Sequence, residues 1–167
     1  MIDIGRFESC VCTRRGEPDE MCSGPFSFEE NGKKVRLQPK GRDEETKAVV
    51  LDQCVFRDTE PKCDGMFLFR RQHRYWMILV ELKGTNIEHA AGQLAATKYN
   101  RPEYQEIKGL INANASGQLT ELAFIISSAM PSRTVTRRLE DQNNIRIKGI
   151  LHSTATTPIP DLRSNLR

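Results

Sequence analysis

The sequence has no long apolar run, few aromatic residues and no large excess of charge. Its 167 residues contain 7% aromatics and carry a formal net charge of +3. No stretch approaches the roughly 20 apolar residues of a membrane-spanning helix, and the N-terminus lacks a secretory signal pattern. These absences predict a single soluble domain over residues 1–167, in the cytoplasm, with no membrane partner and room for an anionic one.

The five cysteines include no CxxC pair, which is the usual spacing of a zinc site. In the cytoplasm such thiols stay reduced. The sequence leaves two alternatives open. One is a structural zinc on Cys10, Cys12 and Cys22, joined by Cys54 or Cys63. The other is free thiols, with Cys54 and Cys63 packed in the core as small hydrophobic residues.

Two apolar runs separated by a short basic segment dominate the middle of the chain. They cover residues 66–69 and 75–80, with the segment RRQHR between them. Short runs that are apolar on both faces predict buried strands, and the short connection predicts an antiparallel hairpin. Because the start of one hairpin strand lies beside the end of the other, Asp64 is expected next to Glu81 and Lys83.

Glu81 and Lys83 are unexpected at the end of a buried strand. Side chains alternate along a strand, so both point to one face while Leu82 points to the other. Burying an unpaired charge costs several kcal/mol, which favours a functional reason for these residues. Two carboxylates and a lysine at one sheet end supply oxygen ligands for a hard divalent cation, with positions left for water and phosphate.

This pattern resembles the PD-(D/E)xK superfamily of restriction-endonuclease-like nucleases. Asp64, Glu81 and Lys83 match its two acids and its lysine, and Gln93 resembles the glutamine that many relatives place on the next helix. The segments KCDGMFLF, VELKGTNIEHAAGQL and AFIISSAMPSR are similar to those of small bacterial members. There are two departures: Cys63 replaces the proline before the aspartate, and no first helix with a glutamate is evident.

The resemblance implies an α/β, restriction-endonuclease-like fold, which is a mixed β-sheet flanked by helices. It covers residues 47–154, after an N-terminal extension and edge strand over 1–46 and before an irregular tail over 155–167. It implies Mg²⁺- or Mn²⁺-dependent hydrolysis of phosphodiester bonds, with DNA favoured over RNA. The alternative is a nucleic-acid-binding or regulatory module on an inactive or partner-dependent nuclease fold.

The resemblance also implies the residue roles. Asp64 and Glu81 bind the metal, with the Leu82 carbonyl and Asp52 as further ligands. Asp52 has a second interpretation, as an acid at a bulge or an exposed strand position. Catalysis is assigned to Asp64, Glu81, Lys83 and Gln93.

The remaining segments predict a strand at 33–39, a strand at 47–56, a helix at 86–99, a strand at 121–130, a helix capped by Ser132 and a strand at 145–154. Residues 100–119 are predicted as a polar connection that includes at most a short helix. Glu29 and Glu30 are predicted on a solvated face, with a second interpretation as stand-ins for the missing first-helix glutamate. His89 is predicted to face solvent.

Six arginines form a predicted nucleic-acid-contacting surface, because Arg side chains suit phosphate recognition. They are Arg70, Arg71, Arg74, Arg133, Arg137 and Arg138. The chain is short for a nuclease with its own recognition domain, so a homodimer or a separate specificity subunit is an expected partner besides the nucleic acid.

Overall fold

The computed structural model describes residues 1–82, 86–129, 131–151 and 158–167, with Ile150 and Leu151 described by their backbone. The strands are β1 (Cys22–Gly24), β2 (Ser27–Glu30), β3 (Lys33–Arg36), β4 (Glu44–Val50), β5 (Gly65–Arg71), β6 (Arg74–Leu82), β7 (Leu119–Ser127) and β8 (Lys148–Leu151). The helices are α1 (Ile87–Asn100), α2 (Pro102–Asn114) and α3 (Arg133–Asn143). Short 3₁₀ helices cover Gly5–Cys10 and Leu162–Asn165. The chain is therefore a mixed α/β protein, which confirms the predicted class.

The larger sheet has five strands in the order β4-β5-β6-β7-β8. Its first three strands are antiparallel neighbours, whereas β6, β7 and β8 run parallel to one another. Parallel neighbours need crossover connections, which α1 and α2 provide before β7 and α3 provides before β8. The β5–β6 hairpin was predicted, and its register pairs Gly65 with Val80.

The two faces of the large sheet bury different layers. The helices pack on one face, where Leu79, Leu94 and Ile107 belong to one core cluster. The three-stranded sheet β1-β2-β3 packs on the other face, where the rings of Phe28 and Phe67 lie 4.8 Å apart. The prediction of an extension with one edge strand missed this second sheet, because its strands are only three or four residues long.

Glycine permits the close approach of the small sheet. A Cβ atom at Gly65 would lie 2.8 Å from the ring of Phe28, closer than real Cβ contacts allow. The ring therefore occupies the space that a larger residue at this position would take. This contact fixes the position of β2 over the start of β5.

The predicted strand at 47–56 is wrong in its bounds. β4 ends at Val50, and residues 51–56 form turns in which Gln53 has φ +66°. At its other end β4 extends back to Glu44, because Glu44 and Glu45 face Arg71 and Arg70 across the β4–β5 ladder. Asp52 therefore lies in a turn and not within a strand.

The helix predictions are mostly correct. α1 begins after Asn86, whose side chain accepts a hydrogen bond from the His89 amide at 3.0 Å, and Ser132 caps α3 in the same way. The connection 100–119 contains 13-residue α2, which is longer than predicted. Residues 152–154 of the predicted last strand lie outside the described residues. No helix in the described part of the chain could cross a membrane.

Four of the five cysteines form disulfides, Cys10–Cys54 and Cys12–Cys22. The prediction of reduced thiols is wrong for these four, and Cys54 is not a free core thiol. The zinc alternative loses its ligands, since a metal needs the thiolates. Cys63 is free and fully buried, as predicted for a core residue.

Candidate functional site

Asp64 stands just before β5 and is held at the end of β6. Its Oδ2 atom accepts a hydrogen bond from the Leu82 amide at 2.8 Å. Its backbone carbonyl accepts hydrogen bonds from the amides of Leu51 and Asp52 at 3.1 and 3.2 Å. Asp64 is 8% exposed. The structure thus brings Asp64 to the end of β6, where the hairpin predicted it.

Glu81 is completely buried near the end of β6. Leu79 belongs to the helix-side core and Leu82 to the core of the opposite face, so alternation directs Glu81 towards the helices. Burial raises the pKa of the Cys63 thiol, and the charges of Glu81 and Asp64 raise it further. Both carboxylates therefore lie close enough to Cys63 to act on it electrostatically.

A third acid, Glu30, reaches the same sheet end from the small sheet. Phe28 and Glu30 share one face of β2, so the packing of Phe28 on Gly65 directs Glu30 towards Asp64. Burial, together with the charge of Asp64 and a hydrogen bond to it, raises the pKa of Glu30 to about 7.

The prediction that Glu30 lies on a solvated face is wrong. It ends a strand and is partly buried against another acid. The segment SFEE places Phe28 and Glu30 on one face of a strand, and this pattern could have indicated the position of Glu30. It does so only when the packing partner of Phe28 is known. By contrast, Glu29 faces the other way and lies 3.9 Å from Lys34.

A hydrogen bond links helix α1 to the residue before Asp64. The Thr97 hydroxyl accepts a hydrogen bond from the Cys63 amide at 2.8 Å and donates one to the Gln93 carbonyl at 2.9 Å. The side-chain Oε1 atom of Gln93 is buried and has no hydrogen-bond partner among the described residues. His89 is exposed, as predicted.

The other predicted site residues have different positions. Lys83 lies outside the described residues. Asp52 is partly buried in the 51–56 turn, where its Oδ1 accepts a hydrogen bond from Gln53 at 3.1 Å, and its charge contributes to the raised pKa of Glu30. Leu82 uses its amide to hold Asp64, which is a role the sequence did not reveal.

Asp64, Glu81 and Glu30 lie at one end of the large sheet, here called the acidic sheet end. This end suits a magnesium ion better than a metal that needs many protein ligands. Within the described ranges, no group of three or more His, Cys, Asp or Glu residues is arranged to hold a metal. Mg²⁺ is commonly bound by one or two carboxylates, with water and phosphate completing its coordination. Glu30 and Asp64 bring two carboxyl groups into hydrogen-bond contact, which supplies the oxygen donors for such an ion.

Three predicted nucleic-acid contacts lie at the other end of the sheet. Arg70, Arg71 and Arg74 flank the β5–β6 turn, about 20 Å along the strands from Asp64. Arg70 and Arg71 pair with Glu45 and Glu44 at 3.5 and 3.0 Å. The structure therefore does not bring these arginines together with the carboxylates, and nucleic-acid contact there stays a prediction.

The other three predicted arginines lie on α3. Because β7 runs parallel to β6, α3 begins at the same sheet end as Asp64 and runs away from it. Arg133 occupies the first turn of α3, and all three side chains, of Arg133, Arg137 and Arg138, are exposed. Arg133 is thus the predicted arginine placed nearest the acidic end by the topology.

Comparisons with protein-family models, curated proteins and solved structures returned no match to this chain.

Proposed function

We propose that the protein is a metal-dependent nuclease of the PD-(D/E)xK type that hydrolyses phosphodiester bonds, with DNA favoured over RNA. The observation that carries the proposal is the meeting of Asp64 with the end of β6, where Glu81 is buried and the Leu82 amide binds Asp64 at 2.8 Å. The antiparallel β4-β5-β6 unit followed by parallel β7 and β8 supports a restriction-endonuclease-like fold.

A purely structural role for these acids is a weak explanation. Replacing buried charged groups by apolar residues is often neutral or stabilising, so a core strand has no stability reason to end in a glutamate. Strongly shifted pKa values cluster at functional sites, and the pKa of Glu30 at about 7 is such a shift. Burial and a second acid, Asp64, cause that shift.

The proposal assigns a role to each side chain. Asp64 and Glu81 would hold Mg²⁺ or Mn²⁺, with the Leu82 carbonyl, water and phosphate as further ligands. Glu30 would act on Asp64 from outside the coordination shell. Asp52, a further ligand in the sequence prediction, is left outside the shell too, because no group of three acids among the described residues is arranged to hold a metal. The bound ion would neutralise phosphate charge and lower the pKa of a water molecule.

Gln93 and Lys83 would position the reacting groups. Gln93, whose Oε1 is buried without a described partner, would orient Lys83 or the attacking water. Lys83 would support the negative charge that develops on the phosphate.

The proposed partners are nucleic acid and either a second copy of this chain or a specificity subunit. The cytoplasmic localisation predicted from the sequence is part of the same proposal.

Disulfides are typical of oxidising compartments, and this chain forms Cys10–Cys54 and Cys12–Cys22. Thiol labelling of the protein in its native cells tests the predicted localisation.

The test is cleavage of supercoiled plasmid, linear duplex, single-stranded DNA and RNA with Mg²⁺ or Mn²⁺. We expect Asp64→Asn and Glu81→Gln to lower cleavage roughly 10³-fold, because metal ions contribute several kcal/mol of transition-state stabilisation. Glu30→Gln should have a smaller effect, about 10–100-fold. Glu29→Gln is the matched control, because Glu29 lies on the same strand but faces away from Asp64.

Cleavage that needs no metal, or that persists in Asp64→Asn and Glu81→Gln, would contradict the proposal. Binding of nucleic acid without cleavage by any form would instead assign the chain to the alternative, a binding or regulatory module. In that case Glu81→Gln would leave the affinity for nucleic acid unchanged.

A further inference from the structure

A cleft of about 780 Å³ opens on the helix-bearing face of the large sheet, and neither Glu81, Asp64 nor Glu30 lines it. Its floor includes Leu79 and Ala123, which lie side by side on β6 and β7. Leu79 precedes Glu81 by two residues on the same face, which is about 7 Å along the strand. The volume falls in the range of roughly 300–1,000 Å³ that is usual for small-molecule sites.

Four cations from separate parts of the chain line this cleft. They are Lys98 on α1, Arg137 on α3, Arg146 in the following loop and Lys148 on β8. None of them forms an ion pair with a carboxylate in the part of the chain that the structure describes. Their charges are therefore available to a ligand.

Three acids, Glu121, Glu140 and Asp141, also line the cleft and offset part of its positive charge, so the four cations leave an excess of one. The charge of Lys98 acts on Glu121 as well. Although burial opposes it, hydrogen bonds from Tyr104 and Lys108 keep the pKa of Glu121 below its ordinary value. Those bonds measure 2.7 and 3.0 Å, so Glu121 is already paired by residues other than the four cations. Glu140 accepts the Ile147 amide at 3.1 Å. Asp141, the third acid, is exposed on α3.

We propose that the cleft binds the phosphate of a nucleotide, either free or at the end of a single strand. Converging Arg and Lys side chains recognise phosphate by charge and by directed hydrogen bonds. This site is separate from the proposed metal site and requires neither a divalent ion nor Glu81.

The test is fluorescence anisotropy of a fluorescein-labelled oligothymidylate in EDTA, with AMP and inorganic phosphate as competitors. We expect Arg146→Glu/Lys148→Glu to weaken binding at least about 10-fold. The slope of log K against the logarithm of the salt concentration is about −0.7 per phosphate contacted, and it should become less negative in this variant. The matched control is Lys40→Glu/Arg42→Glu, which makes the same change of charge at two exposed positions outside the cleft. The control should bind within about twofold of the wild type on the same electrostatic argument.

Equal weakening by both double variants would overturn the proposal, because binding would then follow net charge alone. Absence of wild-type binding to the labelled oligothymidylate would overturn it as well. Displacement by AMP would support a free nucleotide as the ligand, whereas displacement only by unlabelled oligonucleotide would support the end of a strand. Arg137→Gln, a milder change at an exposed residue, should weaken binding in the same direction.

The two proposals fail independently. If Glu81→Gln abolishes cleavage but keeps oligothymidylate binding in EDTA, the two sites are distinct. If the cleft variants keep full binding while Glu81→Gln abolishes cleavage, only the cleft proposal fails.

Discussion

Glu30 and Glu44 lie at opposite ends of the molecule and have opposite electrostatic surroundings. Glu44, near the β5–β6 turn, binds Arg163 at 2.6 and 3.0 Å and Arg71 at 3.0 Å. Hydrogen bonds from Arg163 above all lower the pKa of Glu44 to about 2. Burial and the neighbouring Asp64 raise the pKa of Glu30 to about 7.

The difference separates an ion-paired end of the sheet from the end to which we assign the proposed metal site. At the β5–β6 turn each acid meets an arginine, and the charges stabilise the fold. At the other end Glu30 meets a second acid, Asp64, whose charge opposes the ionisation of Glu30. The chain also braces that acidic end covalently, since Cys54 belongs to the 51–56 turn whose amides hold the Asp64 carbonyl.

The largest expected effect on stability comes from removing the brace at the acidic end. Cys10→Ala/Cys54→Ala should lower the free energy of unfolding by about 4 kcal/mol, because this disulfide closes a loop with a sequence separation of 44. Urea denaturation with and without reductant measures the effect. Cys63→Ala is the control, because it removes a thiol and leaves both disulfides intact. A wild type that is equally stable in reductant would contradict the pairing.

The next effect concerns the paired end. Glu44→Gln should cost roughly 1.5–3 kcal/mol, since it replaces charge-assisted hydrogen bonds to two arginines. The cost should shrink in high salt, because salt screens partly exposed charges. Urea denaturation at low and high salt gives both values. A Glu44→Gln protein as stable as the wild type would show that the ion pairs do not stabilise the turn.

Gly65→Ala tests the packing that directs Glu30 to Asp64. The new Cβ would lie 2.8 Å from the Phe28 ring, and such overpacking costs about 1–3 kcal/mol. Gly92→Ala is the matched control within α1, where nothing lies within 4 Å of the added atom. It should stabilise the protein by about 0.5–1 kcal/mol through helix propensity. Thermal unfolding of the two variants should therefore shift in opposite directions, and a shared direction would be incompatible with this packing.

The last prediction concerns the pH dependence of stability that Glu30 causes. Because its folded pKa of about 7 exceeds the ordinary 4.5, the folded state binds more protons between these values. Stability of the metal-free protein should therefore fall as pH rises through this window. Asp64, Asp52 and Asp19 are the acids whose charges act on it. Urea denaturation in EDTA across this range should show the slope in wild type and Glu29→Gln. If Glu30→Gln kept the same slope of unfolding free energy against pH, this prediction would be wrong.

Local signals made the centre of the fold predictable from sequence. The β5–β6 hairpin follows from two apolar runs and a short turn, and α3 follows from the predicted cap Ser132. α2 was underestimated because its few buried residues, such as Tyr104 and Ile107, stand among charges.

The rest depends on partners that are distant in sequence. Tertiary contacts determine the disulfide pairing, the turn after Val50 and the position of β2. Asp64 could therefore be placed by the hairpin, whereas Glu30 required the contact between Phe28 and Gly65. The resemblance supplied roles for Glu81, Lys83 and Gln93 that remain predictions.

The most direct test of the comparison is to measure Mn²⁺ binding by electron paramagnetic resonance above pH 7, where Glu30 is ionised. We expect Mn²⁺ binding by the wild type and by Glu44→Gln, and none by Asp64→Asn/Glu81→Gln. Unchanged binding in that double variant, or no binding by the wild type, would contradict the assignment of the acidic sheet end as a metal site.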